Sequence, residues 1–451
     1  MKILIVGSGC REHALAWKFS LSDKTEKIFI APGNGGTAIE DKCENVLIAA
    51  GDPGLPEAQD ELVQFALREK INLTVVGPEM PLAQGIVDKF RAAELAIIGP
   101  DKKASRLEAS KIYSKEFMNQ YGVRTAKSKI FTDADAAIHY AQNYFKADAP
   151  PLVIKADGLA AGKGVVVAQN ISEAETTLIS FMKNESLGIA GTYVLLEEFL
   201  DGKEVSMLAA VSVQNGIGTI TPFISARDHK RRFDGGQGPN TGGMGAIAPV
   251  PDFLNQAQND FIAAILQPTL KGMKAEAFDY RGFIFFGLMV KNSRCHLLEY
   301  NVRLGDPETE AVLPLMDSDI IDLCTAILDG KLDTFSIKWK NSAVCAPVAV
   351  ADGYPGSYRT GDLITIDWAA SNKTGTKIFY GGAKGRKAAD SGAANSPTDE
   401  LFTSGGRVLA VSAEGANTDE ARSAAYEALG AVSFSGMSFR NDIGCEQGPL
   451  P

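Results

Sequence analysis

The chain has 451 residues, which favours two to four compact units over one. Hydrophobic residues make up 45% and charged residues 22%, a globular balance able to bury a sizeable core. The 45 Lys and Arg against 55 Asp and Glu give a net charge of -10, which argues against a general nucleic-acid binder but leaves room for a local cationic pocket.

The six cysteines lie too far apart in sequence for a CxxC pair, so a zinc knuckle or thioredoxin-type site is not expected. Met1–Gly7 runs straight into a buried-strand pattern without the features of a signal peptide. No segment approaches the ~20 apolar residues of a membrane span. A cytoplasmic chain with reduced thiols and no membrane partner is the expectation.

Residues 1–100 alternate apolar runs (Ile3–Val6, Ile28–Ile30, Val46–Ile48, Leu73–Val76, Ala96–Ile98) with helical patterns (Glu12–Phe19, Ala58–Arg68, Leu82–Ala93). That alternation predicts a parallel sheet covered on both faces, with ligands at the carboxyl ends of its strands. Gly7-Ser8-Gly9-Cys10-Arg11-Glu12 follows the first run. Glu12 stands where a dinucleotide fingerprint needs its third glycine, so the segment reads either as a tight turn or as a phosphate loop at a helix N-terminus. Arg11 and His13 favour the phosphate.

From about 101 to 333 the pattern becomes α+β with mainly antiparallel pairing. Helices at Glu108–Tyr121 and Ala134–Phe145 lead to strands at Leu152–Lys155, Val165–Ala168, Thr192–Glu197, Val205–Val213, Gly282–Lys291 and His296–Asn301. The turn Gly158–Gly164 is no Walker loop, but a Gly-rich hairpin with Lys155 and Lys163 can close over a triphosphate. The simpler alternative is a solvated turn. Glu197 and Glu198 end an apolar run that can present backbone to an adenine, and Glu204 can accept from ribose hydroxyls; an acidic strand end is the commoner pattern.

Asp228-His229-Lys230-Arg231-Arg232 precedes the glycine cluster Gly238–Gly245, either a ligand-approaching loop or a solvated charge run. Glu299 and Asn301 share a strand face with Arg303, as two hard oxygen ligands and a cation suited to Mg²⁺ and phosphoryl groups. An apolar Leu297 on that face argues against a merely solvated surface. With only four histidines and no Gly-x-Ser-x-Gly elbow, histidine-based metal or nucleophile chemistry is poorly supplied.

After about 334 the runs shorten (Val344–Val350, Lys377–Tyr380, Val408–Ser412), with a helix at Asp419–Leu429 and a small polar stretch, 385–398, that reads as a mobile surface loop.

In combination and order, these segments resemble the phosphoribosylamine–glycine ligases of the ATP-grasp superfamily. The matching runs are Gly9–Ala14, Ala31–Asn34, Val76–Glu79, Lys155–Gly164, Asp228–Arg231, Gly238–Gly245, Leu298–Thr309, Thr403–Leu409 and Arg440–Gly444, which span nearly the whole chain. The resemblance implies a multidomain α/β and α+β fold. Its parts would be a substrate-binding α/β domain at 1–103, an ATP-grasp domain at 104–333 with a mobile lid at about 124–195, and a small C-terminal domain at 334–451.

The resemblance further implies that ATP, glycine and 5-phosphoribosylamine give glycinamide ribonucleotide, ADP and phosphate through glycyl phosphate. Glu299 and Asn301 would bind Mg²⁺ or Mn²⁺. Lys111, Lys155, Gly158, Gly162, Lys163 and Gly164 would hold phosphates, with Glu197, Glu198 and Leu200 at the adenine and Glu204 at the ribose. Gly9, Arg11, Glu12, His13, Gly33, Asn34 and Glu79 would hold the ribose phosphate, with Asp228, Arg303 and Asp306 near the reacting groups. Small-molecule substrates, a monomer and no nucleic acid complete the expectation.

Cys10 and Gly236 replace the family's usual Gly and Asp, Arg227 its Gln and Tyr380 its His, and 385–398 is an insertion. Three other readings weighed are a formate-using ATP-grasp ligase, a nicotinamide-dependent oxidoreductase and a non-catalytic nucleotide sensor. The missing third glycine disfavours the second and the Glu299/Asn301 pair the third.

Overall fold

The structure is a computed structural model that describes residues 1–146, 149–159, 164–184, 186–367, 375–385 and 400–445. Strands β1 (Lys2–Gly7), β2 (Lys27–Pro32), β3 (Cys43–Asn45), β4 (Leu73–Val76) and β5 (Ile97–Pro100) form a parallel sheet in the order 3-2-1-4-5. Strands β1 and β4 are apolar and almost wholly buried because helices cover both sheet faces. The sequence-expected strand Val46–Ile48 is corrected to β3. Val46 N–H still donates to Ile30 (2.8 Å), but Leu47 is 86% exposed and the edge pairing stops there. The expected helix Leu82–Ala93 is two, Glu79–Gln84 and Ile86–Ala92, broken at Gly85 where φ is 91°. Glu108–Tyr121 is likewise split into Arg106–Ala109 and Lys111–Tyr121, because Ser110 leaves the helix to cap the second.

A separate four-stranded sheet, ordered 6-9-7-8, comprises β6 (Ser128–Phe131), β7 (Leu152–Ala156), β8 (Val165–Ala168) and β9 (Val194–Glu198). Helices Ala134–Phe145 and Ile171–Leu178 pack on it over their own core of Phe131, Ala137, Ile154, Leu178 and Leu196. This unit carries the Gly158 turn; Gly162 and Lys163 lie outside the described residues.

Next come β10 (Lys203–Gln214), β11 (Ile217–Asp228), the hairpin of β12 (Arg231–Phe233) and β13 (Gln237–Asn240), β14 (Gly245–Ala248), β15 (Tyr280–Lys291) and β16 (Arg294–Asn301). The C-terminal part adds β17 (Ala343–Val350), β18 (Leu363–Ile366), β19 (Thr376–Tyr380), β20 (Ala383–Gly385), β21 (Leu401–Thr403), β22 (Arg407–Gly415) and β23 (Val432–Ser433). Apart from Gly385, the 385–398 stretch lies outside the described residues.

Among the described residues one sheet of 13 strands, ordered 19-22-17-14-11-10-15-5-4-1-2-3 with β16 beside β15, runs through all three parts. The junction is β15 against β5, antiparallel, where Gly282 meets Gly99: a Cβ on Gly282 would stand 2.9 Å from the Gly99 backbone. The parallel N-terminal sheet and the antiparallel central strands are thus one surface, and a single core cluster takes Ile3, Leu208, Ala246, Val344 and Ala410 from all three parts. No helix among the described residues is long and apolar enough to cross a membrane.

Candidate active site

The centre of the site is β16. Glu299 pairs with Gly287 and Asn301 with Phe285, so both side chains share one face, as the sequence spacing predicts. Leu297 does not share it. Leu297 pairs with Leu288, the neighbour of Gly287, so Leu298 is an extra residue and the register shifts. This β-bulge turns Leu297 into the core, where it is fully buried, and aims the Leu298 carbonyl at Lys155 Nζ (3.0 Å).

Four cations surround Glu299. Lys111 Nζ lies 3.6 Å from its Oε2. Burial pushes the Glu299 carboxyl up, but Lys111, Lys230, Lys155 and Arg303 outweigh it and hold it at about 2. Asn301 Oδ1 accepts from Arg303 Nη2 (3.0 Å). Among the described residues no three His, Cys, Asp or Glu converge as a metal cage. An ionised carboxylate beside an amide oxygen still fits a hard cation completed by phosphate oxygens. Arg303 is also held by Glu108 Oε1 (3.0 Å), Glu79 Oε2 (3.6 Å) and the Leu304 carbonyl (3.2 Å), which fixes its plane.

Behind this face, Lys115, Glu197 and Lys155 form a buried triad. Glu197 is 2% exposed and takes Lys115 on one oxygen (2.9 Å) and Lys155 on the other (2.8 Å). They line a small recess with Lys111, Leu195, Glu299 and Tyr300. Lys155, expected at phosphates, and Glu197, expected at adenine, therefore bond each other here. Lys115 escaped the sequence reading, although it lies one helical turn after Lys111, on the same helix face. Asp157 ties the Gly158 turn to that helix by accepting from Ser110 Oγ (2.9 Å) and Ile112 N–H (3.1 Å). Gly158, with φ of 129°, and Gly164 flank the turn, and Ala156 N–H donates to Gly164 (2.8 Å). Glu198 Oε1 accepts from Lys127 N–H (2.8 Å), and Leu200 is half-buried beyond the end of β9.

The second half of the site lies at the carboxyl ends of β1 and β4, where the strand order 3-2-1-4-5 reverses direction. Glu12 is buried there, capping Gly9 N–H and pairing with Arg11 Nε (2.6 Å). Arg11 Nη1 reaches the Leu304 carbonyl (3.2 Å). Burial pushes the Glu79 carboxyl up, yet Arg303 and Arg11 hold it below its usual range. Asn34 binds the Ser8 carbonyl (2.8 Å) and the Tyr380 carbonyl (2.6 Å), while its Oδ1 accepts from Gly36 and Thr37. Gly33, φ 72°, sits against Asn45. His13 is buried, with Nε2 on Glu40 (3.0 Å) and Nδ1 accepting from Tyr380 N–H (2.9 Å). Arg11, Glu12, His13 and Asn34 thus shape the loops through contacts that already engage their side chains.

Between the halves stands the Asp228–Lys230 segment. Lys230 pairs with Glu204 (3.1 Å); Glu204, Glu299 and Asp228 together raise its pKa against the effect of burial. Among the described residues Asp228 Oδ1 has no hydrogen-bond partner, and burial with nearby Glu308 pushes this carboxyl well up. Asp306 Oδ1 pairs with Arg407 (3.0 Å), whose Nη1 also donates to the Asp306 and Gly242 carbonyls (2.8 and 2.7 Å). Arg407 belongs to the Thr403–Leu409 run, but its place beside Asp306, about a hundred residues away in the chain, is a proximity that no local pattern encodes.

The arrangement is a cleft in which cations gather around the Glu299 carboxylate, a chemistry suited to a polyphosphate and a hard cation. Family models of phosphoribosylglycinamide synthetase match the chain in sequence: the N domain over residues 1–108, the ATP-grasp (A) domain over 109–309 and the C domain over 343–446. The phosphoribosylamine–glycine ligase of Clostridium acetobutylicum is 46% identical over 445 residues, 98% of this chain and 99% of that protein. That of Fusobacterium nucleatum is 45% identical over 98% of each chain. A crystal structure of phosphoribosylamine–glycine ligase from Thermotoga maritima superposes with a TM-score of 0.79 at 30% identity, over 98% of this chain and 100% of that one. Biotin carboxylase of Campylobacter jejuni shares the fold alone, at 16% identity and a TM-score of 0.71 over 99% and 95% of the two chains. With three ordered domains and relatives matched from end to end, the chain belongs to the phosphoribosylglycinamide synthetase family, built around an ATP-grasp domain.

Proposed function

We propose that the chain joins glycine to 5-phosphoribosylamine at the cost of one ATP, giving glycinamide ribonucleotide, ADP and phosphate. The observation that carries this reading is the Glu299 carboxylate, ionised among Lys111, Lys155, Lys230 and Arg303 in a chain whose relatives are ligases of that name.

A carboxylate is a poor acylating agent because its leaving group would be oxide. In the first step a glycine carboxylate oxygen bonds to the γ-phosphorus of ATP, and the bond to the β-phosphate bridging oxygen breaks, leaving ADP. In the second, the phosphoribosylamine nitrogen bonds to the glycyl carbonyl carbon, phosphate leaves with the bonding pair, and the nitrogen loses a proton. Lys111 and Lys155 neutralise the triphosphate. Arg303, its guanidinium plane oriented by Asn301 and Glu108, grips the phosphoryl group in transfer. Asp228 offers its unpartnered Oδ1 to the glycine ammonium. Glu299 and Asn301 are the residues that would hold Mg²⁺ or Mn²⁺, which when bound offsets phosphate charge.

The backbone of Glu197–Leu200 faces adenine and Glu204 the ribose, while Gly9, Gly33, Asn34, Glu79 and Asp306 shape the pocket for the ribose phosphate. Residues 1–103 would bind the aminosugar substrate and 104–333 the nucleotide, with 334–451 as the C-terminal domain. Closure of the lid, about 124–195, keeps water from the acyl phosphate. The partners are small molecules, and the compartment is the cytoplasm, where purine precursors are made.

The test is ADP release with glycine and freshly generated phosphoribosylamine, each omitted in turn. ADP formation requiring both, and falling at least about 100-fold in Glu299→Ala, is expected. Turnover indifferent to glycine would overturn the substrate, and near-normal Glu299→Ala activity would overturn the central role of this carboxylate.

A further inference from the structure

Among the described residues, strands β12 and β13 pair only with each other, forming a largely exposed hairpin outside the main sheet. Its stem runs directly into the segment that presents Lys230 and Asp228. The Lys230 carbonyl accepts from Thr241 N–H and Oγ (2.8 Å each), and the His229 carbonyl accepts from Met244 N–H (2.9 Å). Two register pairs with a shift between them are a thin ladder to hold a loop in place.

The outer half of this hairpin is gripped from about two hundred residues away. Asn441 donates to both oxygens of Asp234, from its backbone N–H (2.8 Å) and its Nδ2 (2.9 Å). Asp442 Oδ2 accepts from Gly235 N–H (2.8 Å). Arg440, 1% exposed, donates to the Arg231 carbonyl (3.1 Å) and forks onto Asp442 (2.7 Å on each oxygen). Arg232 adds a bond to the Tyr354 carbonyl (2.8 Å). These contacts meet Arg231, Arg232, Asp234 and Gly235, so they fix the pitch of the hairpin as well as its position.

We propose that Arg440, Asn441 and Asp442 are positioning residues for the ligase reaction, clamping the β12–β13 hairpin so that Lys230 stands beside Glu204 and Glu299. The inference rests on the ligase reading above. It makes the C-terminal part a determinant of the nucleotide site, although none of its three clamp residues touches that site's side chains. The Asn441–Asp234 pair is exposed and can be altered without disturbing a core.

The experiment compares wild type, Asn441→Asp and the double variant Asn441→Asp with Asp234→Asn in the same glycine- and phosphoribosylamine-dependent ADP assay. Asn441→Asp sets two carboxylates against each other and releases the tip. Its kcat should fall about tenfold with the phosphoribosylamine KM unchanged, because the Gly9 and Asn34 loops are held elsewhere. Its thermal midpoint should stay within about 2 °C of wild type. The double variant restores one donor and one acceptor with reversed polarity and should recover most of the lost kcat. A wild-type kcat in Asn441→Asp, or a loss that Asp234→Asn does not rescue, would overturn the clamp. An inactive wild type would instead overturn the ligase reading on which it rests.

Discussion

His13 shows how a residue placed at a ligand by its motif can serve the pocket from behind. Its Nδ1 accepts from Tyr380 N–H, so its proton resides on Nε2, which faces Glu40. Burial holds the imidazole below its usual value. Burial also pushes the Glu40 carboxyl up, but His13 and Lys377 (2.7 Å) outweigh it and bring it to about 2. Both groups have folded values below their unfolded ones. Their contribution to stability is therefore complete above the ordinary histidine range and is lost as pH falls, first through His13 and then from the usual carboxylate range toward about 2. Glu40→Gln should lower stability at neutral pH by about 2 kcal/mol and flatten the acid limb between about pH 4 and 2, as read from urea midpoints against pH. An acid limb as steep as that of wild type would show that the carboxylate is not the titrating group. The Tyr380 ring stacks on His13 (5.7 Å between centroids) and leaves this pairing intact.

At the scale of elements, the turn after β1 is specified by what lies beside it. A Cβ on Gly77, at the end of β4, would stand 1.9 Å from Glu12 Oε1, and one on Gly7 would be 2.6 Å from Glu12 Cγ. The absent third glycine of the fingerprint is thus replaced by a carboxylate that needs two other glycines to make room. Gly77→Ala should displace Glu12 from Gly9 N–H, costing about 2 kcal/mol in denaturant unfolding and raising the phosphoribosylamine KM while leaving the ATP KM unchanged. Equal rises in both KM values would mean that the turn does not serve one substrate selectively. Strand positions were legible wherever apolar runs were flanked by Gly or Pro, as at β1, β4 and β8. The Leu298 bulge was not, because its extra residue is defined only by the pairing partner across β15. Residues 217–275 gave no element in the sequence reading, although β11 and β14 lie there: Thr221, Pro222 and Ser225 interrupt the apolar pattern of β11, and β14 is only four residues long.

Over the whole molecule, the three parts share one sheet, and one of its two large cores takes residues from all three. A chain ending at residue 333 would leave β14 without β17 and expose Ala246, Ile247 and their neighbours. With each large aliphatic side chain worth about 1.5–3 kcal/mol on burial, against a total stability of about 5–15 kcal/mol, such a truncation should give no soluble folded protein. A monomeric, cooperatively melting 1–333 fragment in gel filtration and calorimetry would contradict this. By itself the sequence determined the family, the alternation that makes the N-terminal sheet parallel, and the Glu299/Asn301 pair, because these follow from local period and from short runs in a fixed order. Only the tertiary structure decided that Lys115 joins Lys155 on Glu197, that Arg407 holds Asp306, and that Arg440, Asn441 and Asp442, beyond the last strand, hold the hairpin next to Lys230. Those contacts join residues tens to hundreds of positions apart, and such proximity is set by sheet order and core packing, which neighbouring residues do not encode.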